Sequence, residues 1–156
     1  MAIVFSSKED WEKEKALSEF SLLPQDDYKL EVAEINEEQQ TKYMSTELED
    51  VVKVKLKILS FKDGGQAVDE NGDDATDRLA FFTITPKSAG WRMDGTPSKT
   101  RAFVTQAMGV DVNEEVKLDK WEDLLGKIVY AEIIQYERKN GGKGNKISRI
   151  VAPPRD

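Results

Sequence analysis

The segment "DVVKVKLKILSF", Asp50–Phe61, constrains the fold more than any other part of the chain. Apolar side chains occupy every second position and lysines fill the positions between them: Val52, Val54, Leu56 and Ile58 alternate with Lys53, Lys55 and Lys57. A period of two places alternate side chains on opposite faces of a strand. The segment is therefore predicted to be a strand with one apolar face and one lysine face. The lysine face is either a ligand surface or a solvated exterior.

Four further segments have strand character, and a helix interrupts them. Tyr28–Ile35 alternates in the same way, and Arg78–Thr85 is rich in aromatic and β-branched residues. Lys127–Arg138 and Asn145–Val151 follow the helix. A five-stranded antiparallel chain with its helix between strands 3 and 4 has the order of an OB-fold. We therefore expect a mainly β protein, an OB-fold-like antiparallel barrel, with another small β-barrel or an α+β sandwich as the alternative.

The helix is expected within "TPSKTRAFVTQAMG", residues 96–109. Thr96 suits the N-cap, Pro97 the first helical position and Gly109 the C-terminal cap. The stripe predicted to face the core consists of Phe103, Val104, Ala107 and Met108. A second, short helical turn is expected in "DKWEDLLGK", between Asp119 and Gly126.

The pattern divides the chain into three parts. Residues 1–23 are expected to form an N-terminal arm or short helix, with Ser7 as its N-cap and Asp10 as the capping partner. Residues 24–152 form the predicted OB-fold domain, and residues 153–156 form a tail. Inside the domain, residues 63–77 are rich in Gly, Asp and Asn and are predicted to be an acidic loop.

Residue types that the chain lacks exclude several kinds of site. It has no cysteine and no histidine, which excludes disulfides, zinc–thiolate sites and Ser–His or Cys–His catalysis. Asp69, Asn71 and Asp73 have the spacing of calcium ligands, but Asp74 stands where a glycine is needed and Ala80 where a glutamate should chelate. We expect no metal, no cofactor and no enzyme activity. No apolar run approaches the roughly 18 residues that span a bilayer, so a cytoplasmic protein without membrane contact is expected.

Charge is unevenly distributed along the chain. It carries 30 acidic and 23 basic side chains, a net charge of −7. Residues 136–156 hold six basic and two acidic side chains, a net +4, which leaves −11 for residues 1–135. Within them, "YERKNGGKGNKISRIV" is predicted to contain a basic hairpin whose glycines, Gly141, Gly142 and Gly144, let a polyanion approach the backbone. The alternative is a hairpin tip whose lysines only deter edge pairing.

Several short motifs, in this order, resemble the small phage single-stranded-DNA-binding proteins with an OB-fold: "LPQDDYKLEVAEI", "DRLAFFTITPKSAGWR", "AMGVD" and "LLGKIVYAEI". The resemblance covers roughly residues 22–151 and includes the Gly/Lys/Asn-rich hairpin before the last strand. Two features depart from the family. The acidic loop is longer, and the chain ends in "APPRD" without an acidic tail.

The resemblance implies a largely sequence-independent binder of single-stranded DNA that acts in phage DNA replication or recombination, in the cytoplasm of a bacterial host. Single-stranded DNA is the implied partner. Replication or recombination proteins are further candidates, and homo-oligomerisation is left open. Such proteins combine cationic grooves with aromatic rings on which bases stack.

The candidate nucleic-acid-binding residues follow from charge, aromaticity and position. Phe81 and Phe82 are adjacent and point to opposite faces of one strand, so one of them belongs to the core. The pattern does not say which, and Phe82 is taken as the candidate ring. Trp121 is assigned to the core. The full candidate set is Lys53, Lys55, Lys57, Phe82, Trp91, Arg92, Tyr136, Arg138, Lys139, Lys143, Lys146 and Arg149.

Two other functions compete with nucleic-acid binding. The first is an acidic protein-interaction or assembly module, in which the β-barrel is only a scaffold and Trp11 and Phe20 serve a partner. The second is a carboxylate-dependent, metal-assisted enzyme, which would need several Asp or Glu side chains to converge on one metal.

Overall fold

The computed structural model describes residues 22–41, 47–86, 90–137, 139 and 141–154. Five antiparallel strands form one open sheet: β1 (Asp26–Thr41), β2 (Leu48–Phe61), β3 (Leu79–Ile84), β4 (Ile128–Glu137) and β5 (Lys143–Ile150). Helix α1 (Lys99–Ala107) and a 3-10 helix (Trp121–Leu124) lie between β3 and β4 in the chain. The expected mainly β fold and the order of three strands, a helix and two strands are therefore confirmed. The helix predicted for the N-terminal arm, with Ser7 and Asp10, lies outside the described residues.

The strands are ordered β3-β2-β1-β4-β5 in the sheet, and the edge strand β3 also contacts the other edge strand, β5. β1 pairs with β2 along almost its whole length, from Tyr28 opposite Phe61 to Thr41 opposite Leu48. Its pairing with β4 covers only residues 26–31. Past Val32, β1 is therefore paired with β2 alone. Because β3 pairs with β2 as far as Val52, the two strands continue as a two-stranded ribbon only beyond Glu37 and Val52.

The ribbon makes β1 longer than the predicted Tyr28–Ile35. The apolar alternation stops at Ile35, and polar residues continue the ladder. Their side chains pair across the two strands: the amide of Gln39 donates to Asp50 at 3.1 Å, and the amide of Gln40 donates to Glu49 at 3.2 Å. Cross-strand contacts of this kind stabilise a ladder without an apolar face, which is why alternation alone did not predict the extension.

One apolar core lies on the inner face of the sheet, below α1. Val52, Val54, Leu56 and Ile58 of β2 are buried, as their spacing predicted. Phe103 of α1 is fully buried, and its ring stacks on that of Phe82 with a centroid distance of 4.6 Å. Other strands and the 3-10 helix supply the rest of the core, including Tyr28, Leu30, Val32, Ile84, Leu124, Val129, Ala131 and Ile133.

Helix α1 begins two residues later than the sequence suggested. The N-cap is Ser98, whose hydroxyl oxygen accepts from the Arg101 N–H at 3.1 Å. Thr96 is used elsewhere: its hydroxyl donates to the Asp94 carboxylate at 2.6 Å, inside a tight turn that precedes the helix. Gly109 follows the helix with φ of 70°, the left-handed conformation expected of a C-terminal glycine.

Gln106 joins α1 to the sheet. The side-chain amide of Gln106 donates to the Val151 carbonyl at 2.7 Å, and its oxygen accepts from the Tyr130 N–H at 2.5 Å. The helix is therefore fixed to β4 and to the end of β5 by one side chain as well as by apolar packing. In the described ranges, no helix has both the length and the apolar character required to cross a bilayer.

Candidate nucleic-acid interface

The three lysines of β2 lie on the outer face of the sheet. The alternating burial of β2 places every second side chain from Val52 to Ile58 inward, and Lys53, Lys55 and Lys57 outward. Each lysine lies directly opposite an outward residue of β3: Lys57 opposite Leu79, Lys55 opposite Phe81, and Lys53 opposite Thr83. The outer surface of β2 and β3 is therefore a row of ammonium groups beside an aliphatic side chain, an aromatic ring and a hydroxyl.

The aromatic ring on this surface is Phe81. Its side chain is 65% exposed, whereas Phe82 is 8% exposed and stacks on Phe103 in the core. The sequence-based choice of Phe82 as the stacking ring is thus corrected. The choice depended on which face of β3 covers the core, and the register with β2 decides it: Phe82 lies opposite the buried Val54, and Phe81 lies opposite Lys55.

Two of the three ammonium groups have partners within the sheet. Lys53 donates to Gln40 at 3.1 Å and to Thr83 at 3.3 Å. Lys55 forms an ion pair with Glu34 at 3.1 Å. Hydrogen bonds from Lys55 and Asn36 hold the pKa of the Glu34 carboxyl below its usual value. Neighbouring β1 thus brings carboxylates to one side of the lysine row, and β3 brings apolar groups to the other.

A second cation–aromatic group lies on the β4–β5 hairpin. The ammonium of Lys146 lies 5.2 Å from the centroid of the Tyr136 ring. Tyr136 faces Gly144 across the ladder, and Lys146 faces Ile134, so the contact is diagonal on one face of the hairpin. Lys139 and Lys143 are exposed, and Arg149 lies 3.5 Å from Glu132. Arg138 lies outside the described residues.

Gly141 has a structural reason to be glycine. Its φ is 87°, and a Cβ at this position would meet nothing within 4 Å. The left-handed conformation of the turn, rather than a close approach of the hairpin to the rest of the protein, therefore accounts for this glycine.

Acidic and N-terminal segments pack beside the base of the same hairpin. The Leu23 N–H donates to Asn145 at 2.8 Å, and the Gln135 amide donates to the Leu23 carbonyl at 3.0 Å. Gln135 also donates to Glu70 of the acidic loop, whose own N–H donates to the Leu22 carbonyl at 3.0 Å. The acidic loop is therefore held next to the basic hairpin rather than on the opposite side of the molecule.

Asp69 organises the acidic loop. Its carboxylate is buried, accepts from the N–H groups of Asn71 and Asp73, and pairs with Arg78 at 2.7 Å. Burial opposes ionisation of Asp69, but these hydrogen bonds and the Arg78 charge prevail and lower its pKa. The carboxylate that would have been the first calcium ligand is thus engaged by protein donors. Among the described residues, no three acidic side chains are placed to hold a metal ion.

Trp91 and Arg92 lie in the turn before α1. Trp91 is 48% exposed, and the guanidinium of Arg101 lies 5.0 Å from its ring centroid. Arg101 also donates to the carbonyls of Val112 and Glu114, each at 2.7 Å. The arginine that contacts Trp91 is therefore Arg101, a residue that also holds the 111–115 loop in place. Arg92, the candidate residue next to Trp91, is exposed.

The structure thus divides the candidates into two main groups. Lys53, Lys55, Lys57 and Phe81 share the outer face of β2 and β3, and Tyr136 and Lys146 share one face of the β4–β5 hairpin. β1 separates β2 from β4 in the sheet, while β3 contacts β5 at the open edge. Phe81, which the candidate set lacked, is the exposed ring on the lysine face, and its register with Lys55 places it there.

No model of a known protein family matches this sequence. A search of curated proteins likewise finds no significantly similar sequence.

Proposed function

We propose that the protein binds single-stranded DNA without strong sequence preference, in phage-type DNA replication or recombination, and that its sheet is an OB-fold. The strand order β3-β2-β1-β4-β5, the contact between β3 and β5, and the helix after β3 support this fold. In OB-folds the face of strands 2 and 3 and the loop between strands 4 and 5 bind oligonucleotides. The first cation–aromatic group lies on β2 and β3, and the second, Tyr136 with Lys146, lies in β4 and β5 close to the loop that joins them.

The observation that carries the proposal is the exposed ring of Phe81 directly opposite Lys55, with Lys53 and Lys57 on the same face. Every base has a π-face, so an exposed ring stacks on a base whatever its identity, with about 1–3 kcal/mol lost on replacement by alanine. The ammonium groups beside the ring neutralise phosphates of the same strand. The Tyr136–Lys146 pair supplies a second contact of the same kind.

The proposed interaction must overcome nearby negative charge. Lys55 is paired with Glu34, and the chain as a whole carries a net charge of −7. Separately, phosphate contacts release counterions, so binding is expected to weaken as the salt concentration rises. Each phosphate neutralised on a single strand adds about 0.7 to the slope of log affinity against log salt concentration.

The test is the affinity of the Phe81→Ala variant for a labelled oligo-dT, measured by fluorescence anisotropy at several salt concentrations. The expected affinity loss is about tenfold, corresponding to roughly 1.4 kcal/mol of lost stacking. Phe81→Trp should retain binding, because an aromatic face is kept. Leu125→Ala, which shortens another exposed apolar side chain outside β2 and β3, is the matched control and should bind like the unmodified protein.

Absence of oligo-dT binding by the unmodified protein at micromolar concentration and low salt would count against the proposal. So would an equal loss in the Phe81 and Leu125 variants, since that result would show no role for ring stacking.

The second candidate function is an acidic interaction module that does not bind nucleic acid. It is favoured by the side-chain partners of Lys53 and Lys55, which give these lysines a role within the sheet. The charge-reversal experiment on the hairpin described below separates the two functions, because only DNA binding requires the hairpin cations.

A further inference from the structure

A groove lies at the end of the sheet where the β1–β2 ribbon extends past its neighbours. Two adjoining clefts, of about 510 and 660 Å³, share Glu37, Pro86 and Trp121 in their walls. The ribbon forms one wall, and α1 with the segment leading into the 3-10 helix forms the other. We refer to the two clefts together as the end groove. Their combined size suits several side chains of a bound peptide.

The floor of the end groove is apolar. Trp121 and Val116 are half-buried and pack against the core, and Val104 of α1 is buried. Pro86 and Leu118 also line the clefts. These side chains leave apolar surface accessible beside the ribbon, where no third strand borders β1 and β2.

The rim of the end groove is acidic. Five carboxylates line the two clefts, those of Glu37, Glu38, Asp50, Asp119 and Glu122, against two cations, Arg101 and Lys120. Asp50 accepts a hydrogen bond from Gln39, and the Arg101 guanidinium is engaged by two backbone carbonyls. The other four carboxylates form no ion pair in the described part of the chain: those of Glu37, Glu38, Asp119 and Glu122.

We propose that the end groove binds a short cationic peptide segment of a partner protein, with one or two apolar side chains on the floor and Lys or Arg side chains at the acidic rim. Charge complementarity carries this choice, because a polyanion would be repelled from the rim. The proposal goes beyond DNA binding and does not depend on it, since the lining residues are distinct from the cation–aromatic groups.

Two segments of the chain itself fit the end groove less well. Residues 1–21 contain three lysines but five acidic residues, so their charge does not complement the rim. The hairpin tip of a second copy is cationic, but residues 139–146 contain no apolar side chain to occupy the floor. A partner segment that combines both properties is therefore the occupant to test.

The probe is a fluorescein-labelled peptide, GKKLWKLKKG, titrated with the full-length protein and followed by anisotropy. Two matched peptides accompany it: GKKSSKSKKG lacks the apolar groups, and GEELWELEEG reverses the charge. The first peptide is expected to bind saturably and about tenfold more tightly than either control peptide.

Two double variants with the same change in net charge locate the site. Glu37→Lys with Glu122→Lys alters the rim at two exposed positions, and Asp63→Lys with Asp73→Lys alters two exposed positions in the acidic loop. The rim variant should weaken peptide binding about tenfold and the loop variant by less than about twofold. The milder Glu37→Gln with Glu122→Gln variant provides a second reading if the rim variant fails to fold, as judged by circular dichroism.

Three results would overturn the proposal. Equal weakening by the rim and loop variants, or equal binding of the serine peptide, would show only general attraction to an acidic protein. Tighter peptide binding after Lys8, Lys13 and Lys15 are changed to Glu would show that the arm of the chain itself competes for the groove. Self-association that the rim variant abolishes in sedimentation experiments would identify a second copy as the occupant. Oligo-dT binding is measured in parallel, and its loss or retention does not bear on these outcomes.

Discussion

The Lys55 ammonium lies 3.1 Å from the Glu34 carboxylate on the outer face of the sheet, and Phe81 lies opposite the same lysine on its other side. The Lys55 ammonium, at the centre of the proposed DNA face, can therefore pair either with Glu34 or with a phosphate that approaches. Exposed ion pairs of this type contribute little to stability, typically below about 1 kcal/mol. The pair is therefore expected to affect the proposed DNA binding more than folding.

Glu34→Gln is expected to raise the affinity for oligo-dT about two- to fivefold at low salt. The substitution frees Lys55 and removes one repulsive charge from the face. Glu122→Gln changes the net charge equally at an exposed position in the 3-10 helix and serves as the control. Anisotropy titrations at low and high salt provide the measurement. An equal gain in both variants would assign the effect to net charge alone.

Reversing the hairpin cations should abolish most of the proposed DNA binding. In the Lys139→Glu, Lys143→Glu, Lys146→Glu variant, loss of two to three phosphate contacts should lower the salt slope by roughly 2. The control reverses three exposed lysines elsewhere, Lys117, Lys120 and Lys127. Titrations across a salt series distinguish a lost contact from a change in net charge. Unchanged oligo-dT affinity in the hairpin variant would favour the interaction module.

Removal of the stacked ring in the core should be costly for folding. Phe82→Ala is expected to lower the free energy of unfolding by about 3–5 kcal/mol, because it removes apolar contacts with Phe103 and leaves a cavity. Phe81→Ala, one residue away but exposed, should lower it by less than about 1 kcal/mol. Urea unfolding of both variants measures the difference. Similar losses would contradict the assigned orientation of β3.

The acidic loop should make stability depend on pH in the acid range. The folded-state pKa of Asp69 lies below its unfolded value of about 3.9, so its stabilising contribution is complete above that pH. The contribution is lost as the pH falls from about 4 through the folded-state pKa. Asp69→Asn, which cannot form the ion pair with Arg78, should unfold at a lower temperature at pH 7 and lose less stability on acidification. Thermal unfolding between pH 7 and pH 2.5 tests this, and parallel curves for the two proteins would contradict it.

Gly141→Ala separates the two explanations of the hairpin glycines. The positive φ predicts a loss of roughly 1 kcal/mol in stability for an L-residue, with no steric conflict in the protein. If the glycine serves only the turn, oligo-dT affinity should stay within about twofold. A larger loss of affinity at equal folding would show that a phosphate approaches this backbone. Gly64→Ala, at a similar φ in the acidic loop, is the matched control for stability.

Local alternation was sufficient to predict most of the strands and the inward face of β2. Lys53, Lys55 and Lys57 could be placed on one face because their neighbours are all apolar. The same rule could not orient β3, since adjacent phenylalanines satisfy the core in either orientation. The position of the Arg101 side chain on Trp91 depends on the path of two loops, and no spacing in the sequence encodes that contact.

The end groove could not be predicted for a related reason. Its walls come from the ribbon, from α1 and from the residues before the 3-10 helix, which are far apart in the chain. Glu37 lies opposite the buried Val52, and Asp50 precedes Val52 by two residues, so both occur on the face of the sheet that covers the core. Their polar character shows only that the core ends there, and the cleft becomes visible once the neighbouring elements are placed.

The length of β1 also has a consequence for motion. At about 3.3 Å per residue, its 16 residues extend roughly 50 Å, and the outer part is paired on one edge only. Isolated two-stranded ribbons are marginally stable in water, so this part can bend or fray while the base stays anchored between β2 and β4. Amide protection should therefore decline from Leu30 towards Gln40. The ribbon wall of the cleft can adjust its width, and because Lys53 donates to Gln40, such a movement also reaches the outer end of the lysine row.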